Sequence, residues 1–256
     1  MKRKFKKIAI EAVLEGGLFI RKSVGKITKI SYKGRDNIVT DVDKKAEEMI
    51  IRRILSAFPG HSVLSEERAP IGKSPYKWVI DPLDGTTNFA HGFPFFCVSI
   101  ALEECGEIIM GVVYDPQRNE LFYAERDKGS YLNNKRIHVS VTKKLSESFL
   151  ATGFSYGRRG KDKNVKNFTE FLLKTLAIRR AGSAALDLCY VACARFDGFW
   201  EMDLHPWDSA AGLLIVKEAE GAVTKFDGSD YSHYDKEVLA TNGSIHKQMI
   251  KVLSNA

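Results

Sequence analysis

Long apolar runs are missing from this sequence. No uninterrupted apolar stretch in its 256 residues approaches the roughly 18 residues that a membrane-spanning helix needs. The basic start of the chain, MKRKFKKIAIEAVLEGG, also lacks the compact apolar core and the small-residue cleavage site of a secretory signal. We therefore expect a cytoplasmic protein that does not cross a membrane.

Cysteine is scarce, and its spacing excludes the common structural zinc sites. The four cysteines form no CxxC pair and do not alternate with histidines at metal-site spacing. We expect buried free thiols, two of them on one face of an apolar helix. The cysteines are Cys97, Cys105, Cys189 and Cys193.

Internal repeats, low-complexity tracts and flexible linkers are absent as well, which predicts one compact unit. With 44% hydrophobic and 28% charged residues, the chain can bury the core of an ordinary globular protein. Its net charge is +7, and the densest basic run lies near the start. Such a run fits a solvated helix face, and it also fits a surface for RNA or another polyanionic partner. The run contains Lys2, Arg3, Lys4, Lys6 and Lys7.

The spacing of apolar residues predicts helices, then an antiparallel sheet, then an alternation of strands and helices. Helical spacing covers residues 4–22 and 41–57. The segments FFCVSIALEE, EIIMGVVYD and ELFYAER predict a meander. We predict an α/β (α+β) protein with two sheets covered by helices, whose halves, 1–145 and 146–256, form one catalytic unit. The other predicted elements are strands at 63–65, 77–80, 148–152, 178–180 and 199–201, and helices at 163–176, 184–196 and from Asp208 onward.

The segment WVIDPLDGTTNF, residues 78–89, carries the most informative pattern. An apolar strand ends at Asp81, Pro82 favours extended backbone before it, and Asp84 follows one short turn later. Gly85 permits a tight turn, and the residues from Thr86 onward can start a helix whose free amides face an anion. By itself, the segment also fits an ordinary turn, because Asp-Pro and Asp-Gly are common turn formers.

A second set of acids is not required by any local turn. Glu66 and Glu67 follow a short apolar strand, and Asp208 lies at the start of an amphipathic helix, where it also fits a helix N-cap. His91 and His205 fit the core or the surroundings of the acids better than direct metal ligation, because a carboxylate-rich site needs no imidazole.

Over nearly its whole length the sequence resembles the inositol monophosphatase family. The resemblance is carried by Glu66-Glu67 after a strand, by D-P-x-D-G-T-T-N-F at 81–89 and by W-D-x-A-x-G at 207–212. It implies a layered αβαβα sandwich of the inositol monophosphatase and fructose-1,6-bisphosphatase type, usually a homodimer. It also implies Mg²⁺-dependent hydrolysis of inositol 1-phosphate to myo-inositol and phosphate.

The resemblance also assigns roles to the acids. Asp81 would bridge two Mg²⁺ ions, with Glu66 and the carbonyl of Leu83 on one ion and with Asp84 and Asp208 on the other. Glu66 would orient the attacking water, and the Thr86 hydroxyl, hydrogen-bonded to Asp43, would act with it as a general base. Asp41 is the neighbouring alternative to Asp43, and it also fits the N-cap of the following helix.

For the substrate, the resemblance implies that the amides of Gly85 and Thr86 hold the phosphate. The polyol would contact Asp84, Glu201 and the segment Gly182, Ser183 and Ala184, with Ser155 on a ring hydroxyl. The resemblance also implies that residues 31–37 form a mobile flap, for which Lys33 and Gly34 are suited, although an ordinary solvated connection fits this segment nearly as well.

The segment GFSYGRRGKD at 153–162 departs from the best-known family pattern and leaves the substrate open. Arg158, with Tyr156 and Arg159, could hold a second phosphate, because guanidinium groups bind phosphate through two hydrogen bonds. Fructose 1,6-bisphosphate is therefore an alternative or an additional substrate, and a nucleotide 3′-phosphatase is a further alternative. A role as a transcription or RNA-associated protein is a third, motivated by the basic N-terminal run.

Overall fold

The computed structural model describes residues 2–26, 30–33, 37–154 and 163–254. Within these ranges no helix has the length and apolar character needed to cross a membrane. The helices in the described ranges are α1 (Lys2–Ser23), α2 (Asp41–Ala57), α3 (Thr86–Ala90), α4 (Asn164–Leu172), α5 (Ala184–Ala192), α6 (Pro206–Glu218) and α7 (His246–Ser254), with a 3₁₀ turn at Leu145–Glu147.

The strands of the described ranges form three sheets. The pair β1–β2 stands alone, a five-stranded sheet has the order β11-β10-β12-β14-β13, and a seven-stranded sheet has the order β3-β4-β5-β6-β7-β8-β9. The strands are β1 (Ile30–Lys33), β2 (Asn37–Thr40), β3 (Ser62–Ser65), β4 (Tyr76–Asp84), β5 (Cys97–Glu104), β6 (Glu107–Asp115), β7 (Glu120–Glu125), β8 (Ser130–Leu132), β9 (Lys135–Ile137), β10 (Phe149–Thr152), β11 (Ala177–Arg179), β12 (Gly198–Met202), β13 (Ala222–Thr224) and β14 (Glu237–Thr241).

The helices and the two larger sheets stack in five layers. Helices α1 and α2 cover one face of the seven-stranded sheet, where Trp78 and Ile80 of β4 are buried. Val79, between them, points to the opposite face, against α5 and α6. On β12, Phe199 faces this same middle layer and Trp200 faces the outer layer of α4 and α7. The order α, β, α, β, α is the predicted sandwich, and the division at residue 145 stays a prediction.

Most predicted elements are confirmed, with shifted ends. Helix α2 has the predicted bounds, and β5 to β7 form the predicted antiparallel meander. Helix α5 ends at Ala192, four residues before its predicted end, because Ala194 adopts a left-handed conformation just past the cap at Cys193. The β8–β9 hairpin was not predicted. Its turn residues Asn133 and Asn134 both have positive φ, which asparagine tolerates well.

Two predicted helix caps are wrong. Thr40, and not Asp41, is the N-cap of α2, and Asp43 completes the capping box. Helix α6 begins at Pro206, so Asp208 lies in its first turn and not at the cap. Proline suits the first helical position because it has no N–H to leave unpaired.

Of the four cysteines, none of which is in a disulfide, only two match the prediction fully. Cys97 and Cys189 are buried, Cys193 is half-buried and Cys105 is exposed.

Candidate active site

A β-bulge in β4 brings two acids to the same face of the sheet. Asp81 pairs with Ser99 of β5 and Asp84 pairs with Cys97, so three steps along β4 match two steps along β5. Without the extra residue, side chains three apart would point to opposite faces. The strand therefore continues to Asp84 and does not end at Asp81 as predicted. Pro82 fits the bulge because it has no N–H to give to the neighbouring strand.

Gly85, directly after the bulge, is fixed by its surroundings. Its φ is +96°, and a Cβ there would lie 2.9 Å from the carbonyl oxygen of Phe95. A side chain would therefore strain the backbone and clash with the neighbouring chain. Only glycine fits at this position of the D-G-T-T motif without a steric clash. The backbone turn at Gly85 allows α3 to begin at Thr86.

The four predicted acids influence one another strongly. Burial, followed by the charges of Glu66, Asp84 and Asp208, raises the pKa of Asp81 well above its ordinary value. Burial, and next the charge of Asp84, raises the pKa of Asp208 in the same direction. Residues that are far apart in sequence therefore meet in one cluster of negative charge.

The carboxylate of Asp84 accepts hydrogen bonds that stabilise its negative charge. Its Oδ2 accepts hydrogen bonds from the Ser183 hydroxyl at 2.7 Å and from the Ala185 amide, in the first turn of α5, at 2.8 Å. Burial raises the pKa of Asp84 to about 6, while these hydrogen bonds and the charge of Arg180 lower it. Ser183, predicted to contact the polyol, thus orients an acid of the cluster.

The chemistry of this cluster fits Mg²⁺. None of the ion pairs between described side chains involves Asp81, Asp84 or Asp208. Removing a carboxylate from water costs free energy when no positive charge lies beside it. Carboxylate and carbonyl oxygens are also the ligands that Mg²⁺ prefers. In the described ranges, no three aspartate, glutamate, histidine or cysteine side chains are arranged so that they could hold an ion. The donor chemistry of the acids, and not a preformed ligand cage, is what fits Mg²⁺. The ligand set and its division between two ions both stay predictions.

Thr86 and Asp43 are joined as the resemblance implies. The Thr86 hydroxyl donates to Asp43 Oδ1 at 2.8 Å, and it also lies 3.0 Å from the carbonyl oxygen of Leu83. The other oxygen of Asp43 accepts from the amide and the hydroxyl of Thr40. Burial raises the pKa of Asp43, although its hydrogen bonds to Thr40 and Thr86 lower it. Asp41 is exposed on the first turn of α2.

A cavity of about 90 Å³ opens beside the acids. Its walls include six residues predicted for the site: Asp84, Gly182, Ser183, Ala184, Glu201 and Asp208. Asn88, from the D-G-T-T-N-F block, joins the two sides, because its amide group donates to the carbonyl oxygens of Phe95 and Ala181 at 2.7 and 2.9 Å. The D-G-T-T-N-F block therefore fixes the position of the Gly182 segment through Asn88, in addition to supplying acids of the cluster.

Five residues of the cavity wall were not predicted: Gly153, Phe154, Arg180, Asp187 and Leu204. Asp187 is 1% exposed, and its Oδ1 accepts no hydrogen bond from a described residue. Burial, followed by the charges of Glu201 and Asp84, raises its pKa well above the ordinary value. The one feature of the sequence that could have indicated Asp187 is its spacing. It lies four residues after Ser183, which is one helical turn, so both residues lie on the same face of α5.

The two predicted histidines are exposed, so a place in the core is wrong for both His91 and His205. His205 does lie in the surroundings of the acids, because its amide donates to Asp208 Oδ2 at 2.6 Å and its ring stacks on Trp207. Ser155, Tyr156, Arg158, Arg159 and Gly34 lie outside the described residues, as does the side chain of Lys33.

Comparison with known proteins agrees with this geometry. The chain matches the model of the inositol monophosphatase family over residues 1–256. It is 45% identical over 251 residues to an inositol-1-monophosphatase of Synechocystis, covering 96% of this chain and 88% of the relative. It is 46% identical over 230 residues to the Nus factor SuhB of Vibrio cholerae, covering 88% and 86%.

A solved structure is similar over almost the full length. The extragenic suppressor protein suhB from Bartonella henselae superposes with a TM-score of 0.95 at 38% identity, covering 99% of both chains. The match therefore includes both of the larger sheets. The chain therefore belongs to the inositol monophosphatase family and is a phosphoric monoester hydrolase.

Proposed function

We propose that this enzyme hydrolyses inositol 1-phosphate to myo-inositol and phosphate in a Mg²⁺-dependent reaction. The observation that carries the proposal is the cavity in which Asp84 and Asp208 meet Glu201 and the Gly182–Ala184 segment. It combines acids suited to a cation with polar groups suited to a hydroxylated ring. The relatives named inositol-1-monophosphatase support the same substrate.

The metal would be held by the acid cluster. Bound Mg²⁺ supplies positive charge to the phosphate oxygens and lowers the pKa of a bound water. The ligands would be Glu66, Asp81, Asp84 and Asp208 with the carbonyl oxygen of Leu83. The amides of Gly85 and Thr86 would bind the phosphate.

The protein's own part in the proton transfer runs through Thr86. Glu66 would orient the attacking water, and the Thr86 oxygen would accept its proton while the Thr86 hydroxyl passes its own proton to Asp43. The 2.8 Å hydrogen bond between Thr86 and Asp43 supports this relay. Burial raises the pKa of Asp43, which makes its carboxylate a stronger base than an exposed one.

Substrate choice can be tested directly. We would measure phosphate release from inositol 1-phosphate, fructose 1,6-bisphosphate and adenosine 3′,5′-bisphosphate, with and without Mg²⁺. The proposal expects the highest kcat/KM for inositol 1-phosphate and no turnover with a chelator. Arg180 in the cavity wall and Arg158 beyond the described residues favour some activity on the bisphosphate of fructose. A higher kcat/KM for either bisphosphate would overturn the assignment.

A second candidate function is association with RNA or the transcription machinery. It is favoured by relatives named Nus factor SuhB, at 40 to 46% identity. The basic run at the start of α1 is only partly available. Lys6 pairs with Glu125, Lys4 lies over the Phe58 ring, and Lys7 lies 3.9 Å from Glu11. Arg3, Lys4 and Lys7 are nevertheless exposed.

This candidate has its own test. Reversing the charge of Arg3 and Lys7 should weaken binding to a labelled RNA oligonucleotide and reduce its salt dependence, with phosphatase activity unchanged. If the affinity for RNA changed neither with salt concentration nor with these substitutions, the basic run would be excluded as the RNA contact.

We also propose that the protein is a cytoplasmic homodimer. Each subunit would consist of an N-terminal half and a C-terminal half that meet near residue 145. The support is the resemblance to family members that are usually dimers. Light scattering on the purified protein would measure the mass against the 28.7 kDa of one chain.

A further inference from the structure

Helix α2 presents two buried acids to the site, one turn apart. Asp43 and Glu47 are separated by four residues, so they lie on the same face of the helix. Both are almost fully buried, with 1% and 2% of their surface exposed. Asp43 holds Thr86, as described above. Glu47 faces a different part of the site, the turn that follows Glu66.

Both carboxylate oxygens of Glu47 bind that turn. Oε1 accepts a hydrogen bond from the Glu67 amide at 3.0 Å, and Oε2 accepts one from Arg68 Nε at 2.6 Å. The second contact is also an ion pair. Glu47 therefore fixes the backbone one residue after Glu66 and the side chain two residues after it.

The sheet does not constrain Glu66 in this way. Strand β3 ends at Ser65, whose partner is Ile80 on β4, and the pairing register stops there. Glu66 is thus the first residue beyond the ladder, at the start of a bend. Its charge nevertheless acts on Asp81 and Asp208. On the C-terminal side of Glu66, the contacts of Glu47 with Glu67 and Arg68 tie down the chain.

We propose that Glu47 is a positioning residue, which fixes the turn at Glu67 and Arg68 and thereby holds Glu66 in the acid cluster. The inference rests on the proposed function, because it deepens the role of Glu66 toward a divalent cation. One helical turn of α2 then aligns both sides of the site: Asp43 orients Thr86, and Glu47 orients Glu66.

The test uses Glu47→Gln with Glu48→Gln as its matched control, since Glu48 is exposed on the same helix. Glutamine can still accept from the Glu67 amide, but it presents no charge to Arg68. Arg68→Met removes the same ion pair from the other side and leaves the Glu67 contact in place. Each variant is compared with the wild type by thermal unfolding, by calorimetric titration with Mg²⁺ and by kcat and KM for inositol 1-phosphate.

We expect Glu47→Gln to weaken Mg²⁺ binding by about tenfold, the size of effect seen when a partner that orients a metal ligand is lost. Arg68→Met should give a smaller shift in the same direction, and the double variant should be no weaker than Glu47→Gln. KM should change less than the affinity for Mg²⁺, because the substrate groups are untouched. Mg²⁺ binding by a folded Glu47→Gln protein equal to that of Glu48→Gln would overturn the proposal.

Failure of the proposed function would look different. A wild type that binds Mg²⁺ but does not hydrolyse inositol 1-phosphate would refute the substrate, while the calorimetric comparison would still decide the role of Glu47. A loss of thermal stability in Glu47→Gln without any change in Mg²⁺ affinity would show a purely structural role and would also overturn the inference.

Discussion

The hydroxyl of Thr86 lies 2.8 Å from Asp43 Oδ1, across 43 positions of the chain. It lies also within 3.0 Å of the Leu83 carbonyl oxygen, and a hydroxyl has one hydrogen to give. When Thr86 donates to Asp43, the Leu83 oxygen is left available for another partner. This arrangement links the proposed base pair to a carbonyl that we assign as a metal ligand.

Removing the Thr86 hydroxyl should therefore affect catalysis more than folding. Thr86→Val keeps the side-chain shape but leaves Asp43 Oδ1 without its donor, which should cost roughly 1–3 kcal/mol of stability. We expect kcat to fall by about 10²–10⁴-fold, the usual contribution of general acid–base catalysis. Thr86→Ser retains the hydroxyl and is the control. Steady-state kinetics with equal kcat for the valine and serine variants would contradict the relay.

Asp84→Asn should abolish turnover without unfolding the protein. The carbonyl oxygen of asparagine can still accept from Ser183 and Ala185, the two groups that hold Asp84 Oδ2. The variant loses one negative charge from a crowded cluster, so the metal-free protein should be at least as stable as the wild type. We expect no detectable hydrolysis, which corresponds to a fall in kcat of at least about a hundredfold, because stabilisation of the transition-state charge is lost. Near-normal hydrolysis by this variant would show that Asp84 has been assigned wrongly.

Gly153→Ala should change substrate discrimination through Glu201. A Cβ at position 153 would overlap the carboxylate of Glu201. That carboxylate is the end of a flexible side chain, so it can move aside at little cost to the fold. We expect KM for inositol 1-phosphate to rise several-fold, with a smaller effect on kcat, because Glu201 is proposed to bind the ring hydroxyls.

The control for this change is Gly60→Ala, since no atom of the described part of the chain lies within 4 Å of a Cβ built at Gly60. Kinetic constants of both variants would be measured on the same substrate. If Gly153→Ala left KM at the value of the control, Glu201 would not contribute to binding the ring.

Much of the fold and of the acid cluster could be predicted from the sequence, because both rest on local patterns. Helical spacing fixed the bounds of α2, and the D-P-x-D-G-T-T-N-F block identified Asp81 and Asp84. The bulge that puts these two acids on one face could not be predicted, since it depends on pairing with β5. Glu47 and Asp187 were missed for a related reason. Each is a single acid on a helix, and only the packing of distant segments turns it toward the site.

The buried carboxyl of Asp187 should make the stability of the protein depend on pH. Its pKa in the folded protein is raised well above the ordinary value, by burial first and then by the charges of Glu201 and Asp84. The folded state therefore keeps this proton where the unfolded state, with a pKa of about 3.9, releases it. By linkage, the contribution of Asp187 to stability falls as pH rises above that value.

Asp187→Asn removes this titration and keeps the shape. The free energy of unfolding of the variant, relative to wild type, should therefore increase from pH 4 toward neutrality, with a slope of up to about 1.4 kcal/mol per pH unit. Asp81 and Asp208 titrate in both proteins, so the difference reports Asp187 together with its coupling to Glu201 and Asp84. Urea unfolding in the presence of a chelator, repeated across this pH range, measures it. A difference in stability that is constant with pH would mean that Asp187 is ionised in the folded protein, with a partner that offsets its burial.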